Sequence, residues 1–111
     1  MKQRYSVLWS NIAEKDLRSI IEYIADDNPS NAVKIFNNIK KGAASLYDFP
    51  EKGRVVPELR DQGILSYREL VIPPWRILYR VSEKEVYVLS VLDSRRNIED
   101  ILLKRLSGLQ I

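Results

Sequence analysis

The chain reads as an α+β domain: an N-terminal strand, a helical hairpin packed on one face of a mostly antiparallel sheet, and a short C-terminal helix. Two stretches of helical periodicity follow one another between residues 11 and 49, three runs rich in β-branched and aromatic residues lie between residues 67 and 92, and the runs are separated by connections short enough for a meander. With 111 residues, 45% hydrophobic and 30% charged, the sequence has enough apolar side chains for one core and room for a single domain, 1–111.

Residues 5–9 alternate as a short strand, and Ser10 or Asn11 follows as a helix N-cap. Ala13, Leu17, Ile20, Ile21 and Ile24 then recur at three- and four-residue steps, with Glu14, Lys15, Arg18 and Glu22 off the stripe, which predicts an amphipathic helix to about Ala25. Pro29 suits the first turn of a second helix, whose seam of Ala32, Phe36, Ile39, Ala43 and Leu46 runs to Asp48 or Phe49. The linker is so short that the two helices must pack antiparallel. Periodicity disappears over residues 51–63, among Gly53, Pro57 and Gly63, which predicts a long loop with a short strand at Val55 and Val56. Strands are expected over 67–72, 75–81 and 86–92. Asn97 then caps a last helix, with Glu99 and Asp100 near its start, Lys104 and Arg105 near its end and Gly108 beyond it.

The chain has no cysteine and no histidine, so disulfides, thiolate chemistry and the commonest zinc ligand and general base are all missing. No metal and no cofactor is expected. There is no run of 18 apolar residues and the start is polar and basic, so the expectation is a cytoplasmic protein with no membrane segment. Net charge is only +3, but seven of the ten arginines (Arg54, Arg60, Arg68, Arg76, Arg80, Arg95 and Arg96) fall between positions 54 and 96, where Lys84 is the one lysine. Arginine is the residue that grips phosphate or carboxylate with paired donors.

Strand alternation puts Trp75, Ile77, Tyr79 and Val81 on one face, under the helices, and Arg76, Leu78 and Arg80 on the other. In the preceding strand it groups Arg68 with Leu70 and Ile72, opposite Tyr67, Glu69 and Val71. If register sets Arg68 beside Arg76 or Arg80, the arginines converge on an uncovered sheet face, with Arg95 and Arg96 entering from the edge. Two readings stay open. Glu58, Glu69, Asp93 or Glu99 neutralises the cluster as ordinary ion pairs, or the cluster meets an anionic ligand, a phosphodiester or an acidic segment. On an uncovered face, Arg76→Ala or Arg68→Ala is expected to cost about 1 kcal/mol or less.

The strings GRVVPELR, YREL, WRILYRV and VYVLSVLDSRR, in that order, together with SNIAEKDLRSIIEYIADDNPSNA and LYDFPEKGR, resemble the RelE/ParE superfamily of toxins from type II toxin-antitoxin systems. The ParE branch, once called plasmid stabilisation proteins, fits best. The resemblance implies a toxin neutralised by a cognate antitoxin. ParE-like members are poisons of DNA gyrase and not hydrolases, whereas RelE-like members cleave messenger RNA on the ribosome without metal. By motif position Arg76 matches the family's sheet arginine, Arg68 a basic position, Arg95 or Arg96 the arginine after the last strand, and Glu58 a glutamate used as base by some members. If the chain is RelE-like, Arg76, Arg68 and Glu58 are its catalytic set. In either branch Arg68, Arg76, Arg80, Arg95 and Arg96 are the residues expected to meet a target. Ile101 and Leu102 stand where RelE-like enzymes place a tyrosine, and Asp93 and Ser94 where others place a His-Tyr pair, so the acid-base set is incomplete and the gyrase reading is favoured. A module that binds antitoxin without toxicity is the third reading. The antitoxin is expected in an apolar groove beside Leu17, Ile21 and Ile24.

Overall fold

The computed structural model describes residues 4–107, so Gly108, expected beyond the last helix, lies outside the described residues. The elements run β1 (Ser6–Trp9), α1 (Asn11–Asp27), α2 (Pro29–Ala44), a 3₁₀ turn (Ser45–Tyr47), β2 (Arg54–Val55), α3 (Pro57–Arg60), β3 (Arg68–Ile72), β4 (Trp75–Ser82), β5 (Glu85–Asp93) and α4 (Ile98–Ser107). The sheet order is β1-β5-β4-β3-β2, with β1 parallel to β5 and every other pair antiparallel.

Local chemistry sets the helix ends. Ser10 caps α1 by accepting from the Ala13 N–H at 3.0 Å. Asn28 serves both helices: its N–H donates to the Ile24 carbonyl at the end of α1, and its Oδ1 accepts from the Asn31 N–H at the start of α2. α1 runs two residues past the apolar stripe to reach that cap. The second helical path tightens into 3₁₀ geometry where the Ser45 hydroxyl donates to the Gly42 carbonyl at 2.6 Å.

The hairpin covers one sheet face. Ala13, Leu17, Ile39, Ala43 and Leu46 pack there on Leu70, Trp75, Ile77, Tyr79, Val86, Val88 and Val91. The other face is not open, contrary to expectation. Val56 and Leu59, with Ile98 and Leu102 of α4, close over Leu78 and Leu92 in a second core. The missed element is α3, four residues long and too short to show a helical period. Pro57 starts it, and it ends where the Ile64 N–H reaches the Leu59 carbonyl and Gly63 takes φ of 80°.

β5 is buried on both faces and its register carries an irregularity. Leu78 pairs with Ser90 but Tyr79 pairs with Val88, leaving Leu89 as the extra residue of a bulge. The bulge reverses parity, so Val86, Val88 and Val91 all face the hairpin while Leu92 faces the second core. Beyond the end of β1, side chains of the α1 segment take over the edge of β5. The Ser10 hydroxyl donates to the Leu89 carbonyl and the Asp16 carboxylate accepts from the Val91 N–H at 3.0 Å. Asp16 also grips Arg105 of α4 through two hydrogen bonds of 2.8 and 3.0 Å, and Arg105 donates to the Ser90 hydroxyl at 2.7 Å.

One carboxylate therefore joins the hairpin, β5 and the last helix. Asp16→Ala strips the Val91 amide and a largely shielded guanidinium of their acceptor at once, and a loss of about 2–4 kcal/mol is expected. Urea unfolding of the variant beside the parent measures it, with the slope against urea unchanged if the native fold survives.

Candidate functional site

The seven arginines between positions 54 and 96 do not form one cluster. Strand register divides them. Arg68 pairs with Tyr79 and Leu70 with Ile77, so Arg68 stands on the hairpin side of the sheet, away from Arg76. Its guanidinium donates to the Gly53 carbonyl at 2.8 Å, and the Tyr79 hydroxyl accepts from the Gly53 N–H at 2.9 Å. No side chain fits between: a Cβ at Gly53 would lie 2.4 Å from the Glu69 carbonyl oxygen and 2.8 Å from the Tyr79 hydroxyl. Burial pushes the Tyr79 phenol up from its ordinary value, with the Gly53 hydrogen bond acting in the opposite direction.

Arg76 lies on the opposite face and is only 7% exposed along its side chain. Val71 is its direct neighbour on β3, which leaves Glu69 on the diagonal of the same face. The Arg76 Nε donates to Glu69 at 2.7 Å, and both terminal nitrogens donate to Glu58 of α3 at 2.8 and 2.6 Å. The other oxygen of Glu69 accepts from the Arg54 Nε at 2.7 Å, across the β2–β3 pair. Four formal charges thus sum to zero in a chain Glu58–Arg76–Glu69–Arg54. The Arg76 fork holds the Glu58 carboxyl below its usual value, against a smaller opposing push from burial, and Glu58 in turn is the largest cause of the raised Arg76 value. A depressed carboxyl bonded through both oxygens is a weak proton acceptor.

The expected cluster on an uncovered face is therefore replaced by an ion-pair network under α3. Arg80 stays on the Arg76 side, its guanidinium 5.2 Å from the centre of the Tyr87 ring. Arg95 and Arg96 follow β5 at the far end of the sheet. Arg95 is exposed and bound to Asp93 through two side-chain hydrogen bonds of 2.9 and 2.7 Å, which hold the Asp93 carboxyl below its ordinary value.

The residues expected to line an antitoxin groove also separate. Leu17 and Ile21 border a groove of about 320 Å³ with Trp9, Phe36 and Lys40. Leu17 itself is nearly all core. Ile24 borders a second, more apolar groove of about 570 Å³ with Ile20, Tyr23, Ile35 and Trp75, and Arg95 and Arg96 stand at its rim. Tyr23 is 79% exposed there, and because it sits off the α1 stripe helical periodicity gives no signal for it. Glu69 and Asp93 were among the carboxylates expected to pair; Arg54 as a member of the network, and the Asp16–Arg105 clamp, carried no signal in sequence spacing.

A hairpin laid on a five-stranded mixed sheet, with a short helix closing the far face and arginines after the last strand, defines the fold class of the RelE/ParE toxins. A solved structure described as a chromosomal ParDE toxin-antitoxin system from P. aeruginosa shares this fold with a TM-score of 0.69 and 22% identity, over 81% of this chain and 96% of that one. The toxin-antitoxin complex RelBE2 from Mycobacterium tuberculosis superposes with a TM-score of 0.56 at 17% identity, over 84% of this chain and 94% of its own. Among curated relatives, toxin RelE2 of Caulobacter vibrioides is 32% identical over 91 residues, 81% of this chain and 96% of that protein. Toxin ParE3 of the same organism is 32% identical over 80 residues, 68% of this chain and 76% of its own. The family model for the ParE toxin of type II toxin-antitoxin systems, parDE, matches residues 7–98, and the chain belongs to this family.

Two outcomes follow from the network. Arg76→Ala leaves Glu58 and Glu69 facing each other in a shielded site with Arg54, on the far oxygen of Glu69, as the one remaining cation of the network, and a loss of about 3–5 kcal/mol is expected, against the 1 kcal/mol or less of an exposed site. Thermal or urea unfolding reads the difference. Because the folded-state value of Glu58 is depressed from 4.5, its contribution is present above that pH and lost as pH falls through the lower folded value. The urea midpoint of the parent is expected to fall over that acid range, and Glu58→Gln to flatten that part of the profile.

Proposed function

We propose that the chain arrests growth by acting on DNA gyrase, that it has no hydrolytic activity of its own, and that a cognate antitoxin holds it in check. The observation that carries this reading is the state of Arg76. The arginine matching the family's sheet position spends its Nε and both terminal nitrogens on Glu58 and Glu69, and Glu58, the matching base position, is held ionised by the same contacts. Phosphodiester cleavage needs a base with proton affinity to spare and a cation free to meet developing charge on phosphorus. Neither role is open to this pair as folded, and no histidine exists to replace them.

The antitoxin reading draws on the two grooves of the hairpin and on the complexes in which both structural relatives were solved. An apolar trough with Arg95 and Arg96 at its rim suits a segment carrying apolar anchors and acidic flanks. Among the described residues no helix is long and apolar enough to cross a membrane, which fits action on a cytoplasmic target.

Toxin added to gyrase with supercoiled plasmid and ATP is expected to trap cleaved plasmid. The same toxin added to translating ribosomes with a defined message is expected to leave the message whole. Cut message with untouched gyrase activity would overturn the proposal and return Glu58 and Arg76 to catalytic roles. Arrest of neither system, in a chain that still binds its antitoxin, would favour the non-toxic module.

A further inference from the structure

The second core does not reach the end of the sheet. It closes over Leu78 and Leu92, while β4 runs on to Ser82 and β5 begins at Glu85. Alternation from Leu78 puts Arg80 on the same face, and the register sets Tyr87 directly opposite it on β5. On the β3 side the Arg68–Tyr79 pair brings Tyr67, one residue earlier, beside Arg80. Tyr67 leans against the rim of the second core, and neither Arg80 nor Tyr87 is part of that core. A row of Tyr67, Arg80 and Tyr87, each half-buried, thus crosses the sheet where the helices of this face stop.

Arg80 differs from most arginines of this region in what it touches. Arg54, Arg60, Arg76 and Arg95 each meet a carboxylate, and Arg68 is spent on the Gly53 carbonyl. Among the described residues Arg80 has no carboxylate partner, and its guanidinium lies over the Tyr87 ring at 5.2 Å from the centre. The ring is itself pinned, since the Tyr87 hydroxyl donates to Glu85 at 2.6 Å, and that contact also occupies the acid of the adjacent row. A guanidinium laid on a fixed ring has less freedom to lose on binding and keeps its N–H donors for an acceptor. The acceptor this end of the sheet suits is a single carboxylate and not a polyanion. Over residues 80–87 the charges of Arg80, Glu83, Lys84 and Glu85 cancel, so there is no basic stripe to follow a phosphate backbone. Tyrosine and arginine placed together are instead the side chains that anchor protein interfaces.

We propose that the row of Tyr67, Arg80 and Tyr87 is the surface by which this toxin grips its protein target: Arg80 takes one carboxylate of the target, and the two tyrosine rings cover the apolar residues around that acid. The inference rests on the function proposed above for the identity of the target, which is then DNA gyrase. Arg80 lies on the face of the sheet opposite the hairpin, so the target and a segment seated in the hairpin grooves meet separate surfaces.

The test uses the whole chain with gyrase, supercoiled plasmid and ATP, beside expression in growing cells. Arg80→Glu is expected to need roughly 30-fold more toxin than the parent to trap the same amount of cleaved plasmid, as for an arginine at the centre of an interface. Arg80→Lys, which keeps the charge without the planar fork, is expected to fall between the two. Tyr87→Phe, which keeps the ring under Arg80, is expected to stay close to the parent. Urea midpoints check that each variant is folded, and if the charge reversal lowers its midpoint, Arg80→Gln, which adds no charge, decides in its place. Equal trapping by the parent and the Arg80 variants would overturn this inference and leave the gyrase reading standing. If the parent itself traps nothing, the gyrase reading fails and growth arrest decides: arrest lost in folded Arg80→Glu keeps the surface for another protein target, whereas arrest unchanged, or no arrest by the parent, overturns it. A short fluorescent single-stranded oligonucleotide bound by the parent and released by Arg80→Glu would also overturn it, because the ligand would then be a nucleic acid.

Discussion

A guanidinium can leave water only if its donors leave with it, each already matched. Arg76 comes close to that condition, with each of its three nitrogens bonded to one of two carboxylates on different elements, and much of the distal half of the sheet is arranged around it. Glu69 reaches it along the diagonal of the β3–β4 pair, and Glu58 reaches it because a one-turn helix is folded down over the strand. α3 is too short to be stable by its own hydrogen bonds. It is held by Arg76 on one side and by Val56 and Leu59 in the second core on the other. Glu69 in turn ties down Arg54 and so the short edge strand β2. The segment between the hairpin and β3 lacks periodicity, yet it is fixed by charge complementarity and by the close approach at Gly53.

β5 supplies the complementary constraint. A strand buried on both faces must find partners for every backbone group along both edges. One edge is served by β4. The other is served first by β1 and then by side chains of the α1 segment, Ser10 and Asp16. The bulge at Leu89 lets the same strand feed the hairpin core and the second core. Arg105 then anchors α4 to Asp16, so the two layers of helix on opposite faces are linked through one carboxylate.

These arrangements separate chemistry that residue matching alone would join. The charge of Arg76 does not stand alone, because Glu58 and Glu69 balance it together with Arg54. Arg68 sits on the other side of the sheet as a brace for the Gly53 turn. Arg95 and Arg96 stand by the apolar groove of the hairpin. A fold alone does not define a site: the surroundings of Arg76 on β4 are set by Glu58 of α3 and Glu69 of β3.

The sequence by itself determined the order of the strands and of the three longer helices. The stripe of Ala13, Leu17, Ile20 and Ile24, the cap at Ser10, the Asn28-Pro29 break and the β-branched runs are local signals, and local hydrogen bonding and side-chain period are what they specify. It also named Glu58, Glu69 and Asp93 as acids able to pair with the arginines, and the ordered motifs from Gly53 to Arg96 pointed to the toxin superfamily. What alternation could not supply was register: which residue of β3 faces which residue of β4 depends on the turn at Pro73 and Pro74 and on packing, and that choice placed Arg68 and Arg76 on opposite faces. Nor could it show the second core, because α3 spans a single turn and Leu78, Leu92, Ile98 and Leu102 are far apart in the chain. Only the tertiary structure decided that Arg76 is buried and neutral in sum, since the energy of a charge is fixed by the atoms around it, and those come from residues 7 and 18 positions away.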